Sequence, residues 1–350
     1  MNNRHESFLA PFFKEMNTEF QDKWCVLHSY ETLPFYSVSD VDMAFSAANI
    51  DALEVLIKRI AKATDWTLLQ KLWYDVQNCY YYVLRHAATD TLLAIDFLID
   101  NDGIGKYGFT TEALTQNCVL TNAGFPIPNP ETALCYKLVK RIVKNRSVEE
   151  DKAYLAALYL DSDHEKLTQI LKQQFGRQTI EPILAYLDDK TKTLNKQDII
   201  LLRNSRKKTI SAFGKRLKYG YWELRRTCNR LLFPSGLLIS VPDMSEAQLA
   251  IFSKALESKV GIMFRFVRLN TSKSKLVNSK GFVGSTLVIC PEQKLNQRKV
   301  ITATWFSNAA VDLESISWEN DLEGLANQYF SAIIDNLSAR MQNKRMADGS

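Results

Sequence analysis

The chain has 350 residues, 46% of them hydrophobic and 24% charged, with a formal net charge of +5; this is the make-up of a folded globular protein and excludes a disordered chain. No apolar run approaches the roughly 20 residues needed to cross a bilayer, and the stretch MNNRHESFLAPFFKEM has no apolar core of signal-peptide type, so a cytoplasmic protein is expected. The length is enough for two domains, or for one large domain with a helical appendage.

Residues 5–20 set Phe8, Leu9, Phe12, Phe13, Met16 and Phe20 at helical spacing. KWCVLHSY then reads as a buried strand, and DVDMAF as a second strand entered from a turn rich in Pro and Ser. A helix follows in NIDALEVLIKRIAKATD, with Leu53, Leu56, Ile57 and Ile60 at helical spacing and Asn49 or Asp51 as its cap. WTLLQKLWY, CYYYVLRHA and TLLAIDFLID read as three more strands. The order strand, strand, helix, three strands predicts an α/β (α+β) domain around a mixed sheet, over residues 1–146.

Past the glycine-marked loop NDGIGKYGF, the segment FPIPNPETALCYKLVKRIVKN predicts a linker that stops at Pro130 and a helix that starts at Glu131. Residues 147–232 are helix-like, with breaks near Gly176 and Asn195, and form a connecting region. From 233 to 350 the order is a strand in SGLLISV, a helix in PDMSEAQLAIFSKALESK and a strand in IMFRFVRL, which predicts a βαβ unit. The last helix carries Leu322, Leu325, Tyr329, Ile333 and Leu337 on one face. Cys25, Cys79, Cys118, Cys135, Cys228 and Cys290 lie far apart with no Cys-x-x-Cys pair, as reduced core thiols would. The histidines His5, His28, His86 and His164 have no zinc-binding spacing, and there is no Gly-x-Ser-x-Gly nucleophile elbow.

The chemistry-bearing residues are acids. Asp40 and Asp42 are two apart on a predicted strand, so both carboxylates project from one face. Two carboxylates that close repel one another, and a divalent cation between them relieves the repulsion. Asp96 stands within the apolar run Leu92 to Leu98, where a buried charge needs a partner or a metal, and it is the candidate third ligand. Such a set could bind Mg²⁺ or Mn²⁺, hold a nucleoside triphosphate and let Asp96 accept the proton of an attacking group. The plainer alternative is that Asp40 and Asp42 cap a turn. His28, at a strand end beside these acids, is the histidine of interest.

SDVDMAF followed some fifty residues later by AIDFL resembles the nucleotidyltransferase fold. VLHSYETLP before the acids and PNPETALCYKLVKRIVK after them resemble segments of members found among bacterial surface-polysaccharide genes. The resemblance covers roughly residues 5 to 145. It implies metal at Asp40, Asp42 and Asp96, and transfer of a nucleoside monophosphate from a nucleoside triphosphate to a small-molecule or carbohydrate acceptor. It also implies a cation for the triphosphate from the helix that carries Lys137, Lys140 and Arg141; Lys137 and Lys140 share a face. The superfamily opens its site with Gly followed by Gly or Ser; this chain has His28 and Ser29 where the resemblance implies His and then that first Gly. Ser29, Ser37 and Ser39 are the candidates for phosphate contact.

In the same proteins the C-terminal half resembles a thymidylate-kinase-type phosphate-binding domain. Here the loop reads VPDMSEAQLA: Pro242 and Asp243 remain, but Met244 and Glu246 replace glycines, and Ala247, Gln248 and Leu249 replace the lysine and hydroxyl positions. Glu246 would repel a triphosphate, so the resemblance implies a shrunken, degenerate P-loop-kinase-like domain that packs or binds a protein partner. An unrelated βαβ unit is the alternative. Between Arg203 and Arg230 stand ten Lys or Arg residues against one acid, Glu223, interleaved with Phe213, Tyr219, Tyr221 and Trp222. Nucleic acid could bind there, as could an anionic membrane or polysaccharide, but a solvated helix face accounts for such a run more simply. The expected function is therefore a metal-dependent nucleotidyltransferase. A catalytically inactive scaffold of the same pathway is the alternative, with a nucleic-acid binder third.

Overall fold

The computed structural model describes residues 5–37, 39–46, 50–75, 79–99, 108–177, 179–189, 191–210, 213–232, 237–242, 244–264, 266–269, 286–291, 310–311 and 321–348. The chain divides into two compact units. One comprises Met1–Thr64, Trp73–Tyr81 and Ile95–Glu223; the other comprises Asp65–Leu72, Tyr82–Ala94 and Leu224–Ser350. The predicted cap Asn49 lies outside the described residues.

The first elements are helix α1 (Glu6–Glu19), strands β1 (Trp24–Val26) and β2 (Val41–Phe45), helix α2 (Ile50–Ala63) and strands β3 (Trp66–Asp75), β4 (Cys79–His86) and β5 (Leu92–Ile99). They follow the predicted order and form a mixed sheet in the order β1-β2-β5-β4-β3. β1 runs antiparallel to β2, and β2 parallel to β5. In β5 all but Leu92 and Asp96 are buried, which is why it reads as a nearly continuous apolar run. The predicted apolar face of α1 is fully enclosed. Phe12 meets Phe97 edge-on at 6.4 Å, while Phe13 stacks on Trp24 at 5.6 Å and packs on Phe125 at 4.9 Å.

A short helix α3 (Thr111–Thr115) and a hairpin of β6 (Val119–Leu120) and β7 (Pro126–Ile127) follow, neither of which the sequence pattern predicts. Helix α4 (Pro130–Val143) begins one residue before its predicted start, with Asn129 Oδ1 accepting the Thr132 N–H at 2.9 Å. Helices α5 (Lys152–Leu160), α6 (His164–Phe175), α7 (Glu181–Asp188), α8 (Lys196–Ile210) and α9 (Phe213–Leu232) fill the predicted helical stretch. The two predicted breaks are real. Gly176 ends α6 at φ +83°, a backbone that glycine adopts without steric cost, and Asn195 Oδ1 accepts the N–H groups of Gln197 and Asp198 to open α8. A further break was not predicted: Asp163 caps α6, accepting from the Glu165 and Lys166 N–H groups. Leu134, Cys135, Leu138, Val139 and Ile142 of α4 share one core with Leu167, Leu171 and Phe175 of α6, Ile183 and Tyr186 of α7, and Cys25, Leu27 and Ala44 around the first strands.

In the second unit, strands β8 (Leu237–Val241), β9 (Phe266–Leu269), β10 (Thr286–Pro291) and β11 (Ala310–Val311) form a parallel sheet in the order β11-β8-β10-β9. Helix α10 (Glu246–Val260) follows β8, and helix α11 (Leu322–Asp348) ends the chain. β8, α10 and β9 follow one another with the two strands parallel, as the predicted βαβ unit has them, and β10 lies between the strands in the sheet. Phe252 of α10 meets Tyr329 of α11 edge-on at 5.5 Å; of the predicted face Leu325, Tyr329, Ile333 and Leu337 are buried, while Leu322 at the helix start is half-buried. Among the described residues no helix is long and apolar enough to cross a membrane.

The packing of α1 gives a direct test. Phe13→Ala removes a ring held between Trp24 and Phe125 and should lower stability by about 3–5 kcal/mol in urea unfolding.

Candidate metal centre

Pairing between β2 and β5 brings the acids together. The two strands are parallel with Asp42 directly opposite Asp96. Asp40 lies two residues before Asp42 and projects to the same side. A carboxylate oxygen from each of the three lies within 4.8 Å of those of the other two, and all three residues are half-buried. The ladder of β1 with β2 extends by one bond, from the Leu27 N–H to the Asp42 carbonyl at 2.9 Å, and so delivers the next residue, His28, to the same place.

Two nitrogens from distant parts of the sequence converge on Asp42. His28 Nε2 is 2.8 Å from Asp42 Oδ2, and Lys140 Nζ, from the last turn of α4, is 3.2 Å from Oδ1. Lys140 Nζ also lies 2.5 Å from His28 Nε2. That ring nitrogen can either donate to Asp42 or accept from Lys140, according to the tautomer. Burial on its own would raise the Asp42 pKa, but the charges of His28 and Lys140 and their hydrogen bonds outweigh it and hold the carboxyl well below the usual range. Asp40 goes the other way: burial first, then the charge of Asp42, pushes it up against the pull of Lys140 and His28. Two neighbouring acids thus shift in opposite directions because Asp42 alone receives the hydrogen bonds of His28 and Lys140.

The remaining sequence-predicted residues take different places. Ser29 sits at φ +56°, a left-handed backbone that favours glycine, and its Oγ is 3.1 Å from His28 Nδ1. Ser37 is buried; its N–H donates to His5 Nδ1 at 3.0 Å and its hydroxyl to the Ser39 carbonyl at 2.8 Å. The Ser39 hydroxyl donates to the Asp40 carbonyl at 3.3 Å. Ser37 and Ser39 thus shape the turn that presents Asp40. Lys137 does not join Lys140 at the acids. Its Nζ is 3.5 Å from Asp151 Oδ1 and lies over the Tyr154 ring, because a carboxylate just before α5 faces that part of the helix. Glu131, at the start of α4, is buried and accepts the Asp163 N–H at 2.7 Å, tying α4 to α6.

In the second unit, Glu246 is the first residue of α10, and Pro242 is half-buried just after β8. Asp243 lies outside the described residues. Gln248 closes a capping box: Ser245 Oγ accepts the Gln248 N–H at 3.3 Å, and Gln248 Oε1 accepts the Ser245 N–H at 3.0 Å. The N–H groups of Ser245 and Gln248 are thereby satisfied by side chains of this same turn. In the basic segment, the side chains of residues 207–216 lie outside the described residues. Trp222 packs edge-on against Trp73 at 6.0 Å, so one of the rings proposed for base stacking belongs to internal packing.

Three carboxylates are hard oxygen donors, and the donor set suits Mg²⁺ or Mn²⁺ rather than a thiophilic metal. His28 and Lys140 were each visible as candidates near the acids. Their meeting on Asp42, 98 residues from Lys140 in sequence, carries no local signal.

Asp151 offers a test of the electrostatics beside the site. Burial favours its neutral form, but the hydrogen bond from Arg141 and the charge of Lys137 prevail and lower its pKa. A depressed carboxyl stabilises the fold fully above its unfolded pKa of about 3.9, and the contribution is lost as pH falls through the folded value. Asp151→Asn should therefore cost about 1–2 kcal/mol at pH 7, and the gap to the parent protein should close below about pH 4, as urea unfolding across that range would report.

No protein-family model, no curated protein and no solved structure matches the chain.

Proposed function

We propose that the protein is a metal-dependent nucleotidyltransferase that moves a nucleoside monophosphate from a nucleoside triphosphate to a small-molecule or carbohydrate acceptor, in bacterial surface-polysaccharide synthesis. The observation that carries this reading is the convergence of Asp40, Asp42 and Asp96 from two parallel strands, with Lys140 against them. Asp40 and Asp42 would hold Mg²⁺ or Mn²⁺ together, with Asp96 as the third ligand. When bound, the metal supplies positive charge to the triphosphate and lowers the cost of charge build-up at the α-phosphate. Asp96 accepts the proton of the attacking hydroxyl, which needs no other base within the set. Lys140, beside Asp42, would add a positive charge for the phosphates on a flexible stem.

A second reading, an inactive scaffold of the same pathway, is favoured by two observations. Both oxygens of Asp42 are engaged by the protein's own groups, and the second unit closes its helix N-terminus with Ser245 and Gln248. On that reading the second unit binds a protein partner.

Thermal unfolding separates the two. With Mn²⁺ and a nucleoside triphosphate at about a hundred times the dissociation constant, the parent protein should gain roughly 2.7 kcal/mol of stability, and Asp40→Asn/Asp42→Asn should gain none. A parent protein that does not respond to any nucleoside triphosphate, alongside a normally folded variant, supports the scaffold.

A further inference from the structure

Lys140 sits on Asp42 itself, a position that a role toward the triphosphate alone does not explain. Its ammonium is 3.2 Å from Asp42 Oδ1 and 2.5 Å from His28 Nε2, while His28 Nε2 covers the other oxygen, Oδ2, at 2.8 Å. Asp42 is also the acid directly opposite Asp96 and two residues from Asp40, within a set whose ligand oxygens all lie within 4.8 Å of one another. The protein's own cation therefore sits on one of the three carboxylates that a divalent ion would use.

We infer that Lys140 is a built-in counter-cation of Asp42, a positioning residue that competes with the divalent metal and is handed to the nucleotide when the metal binds. This rests on the metal reading above. Three clustered carboxylates carry more negative charge than the fold can hold without compensation. A tethered ammonium supplies part of that compensation, and a divalent ion supplies more. The two cannot sit close together without repulsion, so a metal at Asp42 expels the ammonium. Lys140 has a flexible four-carbon stem and already lies 6.0 Å from the Tyr136 ring centroid, which offers its charge a nearby resting place. The anion that arrives with the metal is the triphosphate, and the expelled ammonium then faces it. The same side chain thus weakens binding of metal alone and strengthens binding of metal with nucleotide. Metal without nucleotide would be discriminated against, and the triphosphate would complete the site.

The sign reversal is the test. Binding of Mn²⁺ alone to the full chain is measured by electron paramagnetic resonance of the free ion, for the parent protein, Lys140→Met, Lys137→Met and Asp42→Asn. Lys140→Met should bind Mn²⁺ roughly tenfold more tightly, a modest effect for a unit charge a few ångströms away in a protein interior. Lys137→Met, which removes the same charge from the same helix but from the Asp151 pair, should match the parent. Asp42→Asn should lose binding. With ATP or GTP present, the order should invert, Lys140→Met binding Mn²⁺-nucleotide about tenfold more weakly. Mn²⁺ should also raise the unfolding midpoint of Lys140→Met more than that of the parent, which a merely structural ion pair would not produce. If Asp42→Asn abolishes Mn²⁺ binding while Lys140→Met binds no more tightly than the parent, the counter-cation role is wrong and the metal reading stands. If no variant and no parent protein binds Mn²⁺, both fall. Lys140→Gln serves as the second variant should the methionine protein fail to fold.

Discussion

Charge repulsion among three carboxylates is the constraint around which the first unit is arranged. The pairing of β2 with β5 places Asp42 opposite Asp96, an arrangement that costs energy by itself and persists because everything nearby answers it. His28 arrives from the end of β1, Lys140 from the last turn of α4, and the turn of Ser37 and Ser39 sets Asp40 in place. Each contributor belongs to a different element, and each element is fixed by apolar packing remote from the acids: Phe12 on Phe97, Phe13 between Trp24 and Phe125, Leu134 to Ile142 in the helical core. Hydrophobic burial supplies the energy, and the polar cluster uses it to hold groups that would otherwise separate.

Much of this was legible in the sequence. The alternation around Asp40 and Asp42 and the lone acid in an apolar run are local patterns, and local patterns survive translation into structure. The element order over residues 5–100 was equally readable, since strand and helix periods differ sharply there. Partner choice within the sheet was not. β5 follows β3 and β4 in the chain yet lies beside β2, an adjacency that no periodicity encodes. The split between Lys137 and Lys140 was hidden for the same reason: they share a helical face, and only the location of Asp151 and Asp42 separates their side chains. Ser29 is a finer case. A serine there departs from the glycine of the resembled family, but the backbone keeps the left-handed turn that glycine favours, and the hydroxyl meets His28.

The second unit shows the opposite balance. Its strand and helix were visible, as was the absence of glycine and lysine from Met244 to Leu249. The capping box of Ser245 and Gln248 was not, although such a cap typically stabilises a helix start by about 1 kcal/mol. The sheet order reverses direction at β8, with β10 on one side and β11 on the other. In open parallel sheets the crevice beyond such a reversal is where ligands settle, and here the capped start of α10 follows that strand.

Helix α4 carries nine buried residues in its fourteen, including Glu131 at its first turn, which is bonded to the backbone at the start of α6. A rod enclosed to that degree cannot roll or slide without disturbing the whole helical core. Changes of partner at its last turn must come from rotation about the bonds of a single side chain. Such rotations belong to a faster class than the microsecond-to-millisecond motions of lids and domains. A change of partner at Lys140 therefore asks for the turning of one side chain while the scaffold stands still.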